Sequence, residues 1–587
     1  MSYTAPVEHM RFVLEHTAGL DRVRALPAFA EATPDVVTAV LEGAARFAGE
    51  VLAPLNAPGD RAGARVTPAG VVTPPGFRDA YQRYVADGWN SLAGPAAYGG
   101  QGMPFVLQAA TIEMWGAANM ALALCPELSS GAIAALAEHA TEALRAQFLP
   151  KLVSGEWTGT MCLTEPQAGS DLSTVTTRAE PDGGAWRLFG RKIYITWGEH
   201  DMADNVVHLV LARAPNAPSG VKGLSLFLVP RYRVGADGRP GEANDIRCVS
   251  VEHKMGIHGS PTCVLAIGDG PGAEGFLVGP LHQGLACMFT MMNHMRLGVG
   301  LHALGVAEHA YQIAARHARE RVQGRDAAGR PTVILGHADV RRMLLLMKSQ
   351  IQAARGLCYA AAAALDLAHH AAGETAATAR ARADLLTPIV KAWGSDMAIE
   401  VTSLAVQVLG GMGFTEDAEA AQCYRDVRIT AIYEGTNGIQ AHDLLGRKVL
   451  RDGGRALGAL IAEMRAAGSA LPGGEPRAAA LGRSLGEGIA QLERATEFAL
   501  AEARRDPELV GAIAVPYLEL TALVCGAWQW ACALGAAARG GLEARGRGAL
   551  LDAAAFYAAQ VMPRAAASAA IVRGGSAAVA AAERELL

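Results

Sequence analysis

A single carboxylate, Glu434, sits between Tyr433 and Gly435 in the stretch "RITAIYEGTNGIQAHDLLGRK", Arg428 to Lys448. Carboxylates act as bases when an apolar surround raises their pKa towards neutrality, and Ile432, Tyr433 and Ile439 are candidates for that surround. Gly435 would let a ligand approach the backbone closely; a helix-capping glutamate is the bland alternative. A second chemical stretch is "MCLTEPQAGSDLS", Met161 to Ser173, where Thr164 and Ser170 offer donors and Gly169 leaves backbone N–H groups unobstructed. It suits the edge of a planar polar ligand, or an ordinary Asx turn capped by Asp171. In "GRKIYITWG", Gly190 to Gly198, strand alternation predicts Tyr194 and Thr196 on one face, able to support a flavin ring and bond its reactive nitrogen, or simply to pack a sheet.

Other chemistries fit less well. "GPGAEG", Gly270 to Gly275, has the letters of a dinucleotide fingerprint but opens no long helix and reads as a β-turn. "GRSLG", Gly482 to Gly486, has no strand before it, as a nucleophile elbow requires. No P-loop and no H-E-x-x-H occurs, and His369 with His370 read as a solvated helix edge. The nine cysteines show no C-x-x-C and no zinc spacing, so no metal site is expected and reduced core thiols are.

These groups need elements to hold them. Residues 1–160 have helical periodicity, as in "TPDVVTAVLEGAARFAGEVLAPLN" with its Thr-Pro start. Residues 161–280 carry short β-rich runs such as "NVVHLVLARA" and "GLSLFLVPRY", bounded by Gly, Pro, Asn and Asp. Residues 281–450 return to long helices, and "GSALPGGEPR", Gly468 to Arg477, breaks them before an Ala-rich helical region over 451–587. The expected fold is therefore mainly α with an inserted β domain and an extra C-terminal helical domain.

With 587 residues, half of them apolar, the chain can bury several cores. Its net charge of −5 gives no reason to expect nucleic acid, and residues 451–587 balance 14 basic against 14 acidic side chains. The N-terminus lacks the features of a signal or transit peptide, so a cytoplasmic location is expected. Leu520 to Ala538 carries no charge for 19 residues, long enough for a membrane span, yet Ala, Gly, Thr and Gln dilute it. A buried bundle helix, without stable membrane insertion, is the expectation.

In order along the chain, "TEPQAGSD", "GRKIYIT", "QVLGGMGF" and "IYEGTNGIQ" resemble the acyl-CoA dehydrogenase family of flavoproteins over most of residues 1–450. With "EHKMGIHGSPTC", "ARERVQGR" and the C-terminal extension, the likeness is greatest to the 3-methylmercaptopropionyl-CoA dehydrogenase branch, then to the long-chain members. The resemblance implies a helical domain, a β domain and a four-helix bundle. It implies that Glu434 takes the pro-R α-proton of an acyl-CoA while FAD takes the β-hydride, giving a trans-2-enoyl-CoA. Met161, Leu163, Thr164, Gly169 and Ser170 would line the FAD, Tyr194 and Thr196 its ring, and Thr436 would touch it. Arg321 would meet its pyrophosphate, and Gln407 with Gly411 would reach the FAD of a second subunit, hence a homodimer. Ser170, Asn293, Arg296, Tyr433 and Gly435 would contact the CoA substrate, and an electron-transfer flavoprotein would accept the electrons. Trp197, Asn293 and Gly438 stand where Asn, Asp and Gln are usual, and Arg321 lacks the usual aromatic after it. Two rivals are a nucleic-acid-binding damage-response flavoprotein and a scaffold holding FAD structurally.

Overall fold

The computed structural model describes residues 3–582. Two compact units interleave along the chain, one of Arg46–Met103 and Ala118–Gly298, the other of Tyr3–Ala45, Pro104–Ala117 and the chain from Val299 onwards. The expected boundary near residue 160 lies within the first of these units. One boundary falls inside helix α1 (Phe105–His139) beside Asn119, whose backbone leaves the helical region at φ −162°, ψ 86°. There the Asn119 side chain accepts from Leu122 N–H at 3.1 Å, as an N-cap does when a helix restarts.

The first unit is built on an eight-stranded sheet. Its strands are β1 (Trp157–Cys162), β2 (Arg178–Asp182), β3 (Ala185–Thr196), β4 (Asn205–Arg213), β5 (Leu224–Pro230), β6 (Ile246–Val251), β7 (Thr262–Ile267) and β8 (Ala273–Val278). They run in the order β6-β7-β3-β8-β5-β4-β1, with β2 pairing both β3 and β4. β1 begins four residues before the expected Met161, because Trp157 to Thr160 already pair in parallel with Asn205 to His208. β5 is buried along its whole length, which explains why "LSLFLVP" is a continuous apolar run rather than an alternating one. Leu188, Ile195, Val210, Phe227, Cys263 and Leu265 form its core. The G-x-G-x-x-G letters make a turn: Asp245 accepts from Gly270 and Gly272 N–H at 2.8 and 3.0 Å, and β8 follows at Ala273.

The second unit is helical. Helix α2 (Gly284–Glu320) enters it at Val299, followed by α3 (Ala338–His370), α4 (Gly373–Leu409) and the short α5 (Asn437–His442). Beyond these lie α6 (Arg455–Ser469), α7 (Pro476–Glu502), α8 (Leu509–Ala536) and α9 (Pro563–Arg573). The Gly/Pro stretch read as a linker is the turn between α6 and α7, and "GRSLG" lies inside α7.

The uncharged segment 520–538 lies in α8 and the π-turn that ends it, and it packs on α3: Trp530 Nε1 donates to Ser349 O at 3.3 Å. At Gly356 an added Cβ would come 2.6 Å from Gln529 Oε1, so the glycine makes room for the crossing helix. Arg564 on α9 grips Glu400 on α4 with two hydrogen bonds of 2.7 and 3.0 Å. Three helical segments, 105–139, 373–414 and 509–541, are long and apolar enough to cross a membrane by length and composition, where the sequence singled out one.

Candidate functional site

In the second unit, Glu434 and Gly435 are consecutive residues with left-handed backbones, φ 56° and 83°. Glycine adopts this freely, but a glutamate there costs roughly 1–2 kcal/mol, and such strain collects at sites that need one side chain aimed. Gln440, fully buried, holds the turn by donating Nε2 to Glu434 O and Gly435 O at 3.1 and 3.3 Å. Thr436 Oγ1 accepts from Ile439 N–H at 3.3 Å and caps α5, so capping falls to Thr436 and not to Glu434.

The turn is tied to α4. Ser395 Oγ donates to Thr430 O at 3.0 Å. Asn437 Nδ2 donates to Ala392 O at 3.1 Å and to Asp396 Oδ1 at 2.8 Å, while its Oδ1 accepts from buried Lys391 Nζ at 2.9 Å. Burial pushes the Asp396 carboxyl upward, and the Asn437 hydrogen bond and Lys391 oppose it. The expected apolar frame around Glu434 needs correction: Ile432 is 50% exposed and Ile439 is exposed as well, while Glu434 and Tyr433 are half-buried. Ile439 sits on the solvent side of α5, whose other side is held by buried Gln440.

Elsewhere on this unit, Arg321 is exposed just past α2, where its carbonyl accepts from Ile334 N–H at 2.8 Å. Gln407 and Gly411 are exposed at the end of α4, and a Cβ on Gly411 would meet nothing within 4 Å. Phe414, 88% exposed, and Met412 stand beside them.

In the first unit, the segment after β1 and the end of β3 are laced together. Ile193 N–H donates to Thr164 O at 2.9 Å, and Glu165 and Ala168 exchange two backbone bonds that close a tight loop. Gly169 and Ser170 are exposed at its tip, with open space where a Cβ on Gly169 would lie. Met161, Leu163 and Thr164 are half-buried.

Strand β3 does not alternate as expected. Cys263 and Leu265 pair with Ile195 and Lys192, two steps opposite three, so the strand bulges. Tyr194 takes φ 58° and is 60% exposed, and Thr196 is half-buried. Trp197, at φ 55°, is fully buried and donates Nε1 to Ala121 O at 3.1 Å, so it anchors the strand end to α1 rather than lining a ligand.

Sequence reasoning passed over the group beneath this surface, although "TEPQAGSD" and "GRKIYIT" contain it. Glu165 and Lys192 form a fully buried ion pair at 2.8 Å. Burial acts to raise the Glu165 carboxyl, but Lys192 and hydrogen bonds from Thr176 and Thr177 outweigh it and hold it at about 2. Burial lowers the Lys192 ammonium, and Glu165 opposes that. Lys192 stands beside the exposed Arg191 in a strand with three basic residues, and its letters do not mark it as the buried one.

On α2 of the same unit, Asn293 and Arg296 lie one turn apart, with Arg296 Nη1 donating to Asn293 Oδ1 at 3.2 Å. Arg296 is buried, its guanidinium 5.8 Å from the Phe289 ring centre. No cluster of three metal-ligating side chains occurs among the described residues.

Comparison with known proteins places these features in context. The chain matches the acyl-CoA dehydrogenase N-terminal domain over residues 35–156, the middle domain over 160–269 and the C-terminal domain over 282–449. Residues 459–583 match a further domain described as acetyl-CoA dehydrogenase C-terminal like. The chain is 46% identical over 533 residues, 90% of each chain, to 3-methylmercaptopropionyl-CoA dehydrogenase of Ruegeria pomeroyi. It is 35% identical to a butyryl-CoA dehydrogenase of Syntrophomonas wolfei, covering 79% of this chain and 78% of that one. Its fold is similar, at TM-score 0.75 and 20% identity over 94% of this chain and 90% of the other, to an acyl-CoA dehydrogenase complexed with FAD from Bacillus anthracis.

Proposed function

The chain belongs to the acyl-CoA dehydrogenase family, and on that footing we propose that Glu434 is the base of an α,β-dehydrogenation of a short-chain acyl-CoA. The observation that carries this is the Glu434–Gly435 turn, a pair of left-handed residues in which the glutamate is strained, fixed to α4 by Asn437 and Ser395. A thioester α-proton is weakly acidic, so its removal needs a carboxylate held at one place.

FAD is the cofactor. The open backbone at Gly169, the exposed Tyr194 ring and the Thr196 hydroxyl fit a planar group with a polar edge. Bound FAD supplies the two-electron acceptor for the β-hydride. Glu434 accepts the α-proton, the Cα–H pair becomes the new carbon–carbon double bond, and a trans-2-enoyl-CoA leaves. Asn293 and Arg296, which hydrogen-bond each other, are the proposed contacts to the CoA, and Gln440 keeps the Glu434 turn from relaxing. An electron-transfer flavoprotein is the proposed electron acceptor.

For the acyl group, identity to the Ruegeria enzyme over nine-tenths of both chains favours 3-methylmercaptopropionyl-CoA, a thioether the length of a short fatty acyl chain. Exposed Phe414 and Met412 beside Gly411 support a second copy of the chain at that surface. Nine free cysteines support a reducing, cytoplasmic location. Balanced charge after Arg451 gives no support to a nucleic-acid-binding role.

The test is anaerobic mixing of the yellow holoenzyme with 3-methylmercaptopropionyl-CoA, butyryl-CoA and longer acyl-CoA thioesters, following loss of flavin absorbance. The expected result is fastest bleaching by the thioether substrate. Preference for a long-chain thioester would overturn the substrate, and no bleaching by any of them would overturn the activity.

A further inference from the structure

We propose that the buried Glu165–Lys192 pair is the positioning device for the flavin-facing surface of the first unit, fixing loop 163–170 against the bulged end of β3 although neither residue reaches the ligand. The inference rests on the FAD reading given above and extends it to residues behind the ligand surface.

The geometry is unusually concentrated. Both side chains are at most 2% exposed. One Glu165 oxygen accepts from Thr177 N–H at 3.0 Å, Thr177 Oγ1 at 2.5 Å and Lys192 Nζ at 2.8 Å. The other accepts from Thr176 N–H and Oγ1, both at 2.8 Å, and from Gln167 Nε2 at 2.6 Å. Lys192 Nζ also donates to Leu163 O at 2.9 Å. Three chain segments, 163–167, 176–177 and the strand at 192, therefore meet at one carboxylate.

What these segments carry is the argument. Leu163 and Thr164 flank Glu165, Gly169 and Ser170 follow it, and Tyr194 lies two residues past Lys192 in the bulge. A well-packed apolar pair would serve stability at least as well, since desolvating two charges offsets their attraction. What an apolar pair cannot do is fix three backbones in register, because only directional bonds specify where each carbonyl and N–H must sit. A ligand that meets backbone and hydroxyl groups of this loop needs that register before it arrives, or it must order the loop at the expense of its own affinity.

The test uses the double variant Glu165→Gln/Lys192→Met, which removes both charges together and leaves no buried ion unpaired. FAD is stripped from wild type and variant, and rebinding is followed by flavin fluorescence, with circular dichroism as the check on fold. The expected result is a folded variant whose Kd for FAD rises at least ten-fold and whose bound flavin spectrum shifts. At saturating FAD, kcat should fall while KM for the acyl-CoA changes less than two-fold.

A folded variant that binds FAD within two-fold of wild type, with an unchanged spectrum, would overturn the proposal. If the double variant does not fold, Thr177→Val removes one donor to the carboxylate and keeps both charges; a three- to ten-fold rise in Kd is expected, and an unchanged Kd overturns it. Wild-type protein that does not bind FAD at all would instead overturn the functional reading on which the proposal rests.

Discussion

Lys391 Nζ donates to Asn437 Oδ1 at 2.9 Å, from the buried side of α4 to the residue three places beyond Glu434. Asn437 spends its amide on Ala392 O and Asp396, so one side chain closes three links between the helix and the turn. The turn that carries the proposed base is thus tied both to Gln440 nearby and to a helix residue 46 positions before Asn437.

Asn437→Ala should loosen that turn without touching the carboxylate. Removing one hydrogen-bonded side chain costs about 1–3 kcal/mol when buried partners lose a bond, here one of those made by the Lys391 ammonium. A fall in kcat of roughly 10-fold is expected from a misplaced base. Thermal melting and steady-state kinetics measure both. A normal kcat in a less stable variant would mean that the tie supports the fold and not the aim.

Glu434→Gln should keep FAD bound and lose reduction by every acyl-CoA, because an amide cannot accept the α-proton. Loss of a general base costs on the order of 10²–10⁴ in rate. Stopped-flow bleaching under anaerobic conditions reads it directly. Reduction near the wild-type rate would remove Glu434 from the reaction.

Acid should act through Glu165. Its carboxyl is held at about 2 in the folded chain, below the ordinary 4.5, so the folded state gives up that proton more readily than the unfolded one. The resulting stability is present above pH 4.5 and is lost as pH falls through 2; the shift corresponds to about 3 kcal/mol. Acid titrations by circular dichroism should therefore show wild type losing stability relative to the Glu165→Gln/Lys192→Met variant as the pH drops. Curves separated by a constant interval from pH 5 to pH 2 would contradict the assignment.

Gly411 has open space around it beside the exposed Phe414 and Met412, the surface that the proposed second copy of the chain would cover. Gly411→Val should lower FAD occupancy while the acyl pocket still forms, because a branched side chain would hold a ligand away from the backbone. A ligand that binds only the assembled state stabilises it by mass action, so excess FAD should shift dimer dissociation to lower protein concentration. Analytical ultracentrifugation of apo and holo protein over a dilution series is the measurement. Identical dissociation in both would place the whole cofactor site within one chain.

By itself the sequence determined the parts. Its periodicities separated sheet from helix, since a period of two and one of 3.6 cannot be confused over long segments, and Gly with Pro marked the turn between α6 and α7. Its motifs singled out Glu434, Tyr194 and the loop at Gly169, because backbone freedom and donor groups are properties of residue type, and the family resemblance added Thr436. Tertiary structure decided the partners. The bulge that turns Tyr194 outward is set by the pairing of β7 with β3, and no local rule in "GRKIYIT" foretells it. The Glu165–Lys192 pair spans 27 positions, and a buried charge is recognisable only when the atoms that desolvate it are in place. Trp197, noted in the sequence only as standing where Asn is usual, is an anchor for the same reason: its destination at Ala121 lies 76 positions away. The frame expected around Glu434 came from counting apolar letters, and exposed Ile432 shows that sequence adjacency to a carboxylate does not shield it. Shielding is a property of volume, and volume is filled by whatever the fold brings there.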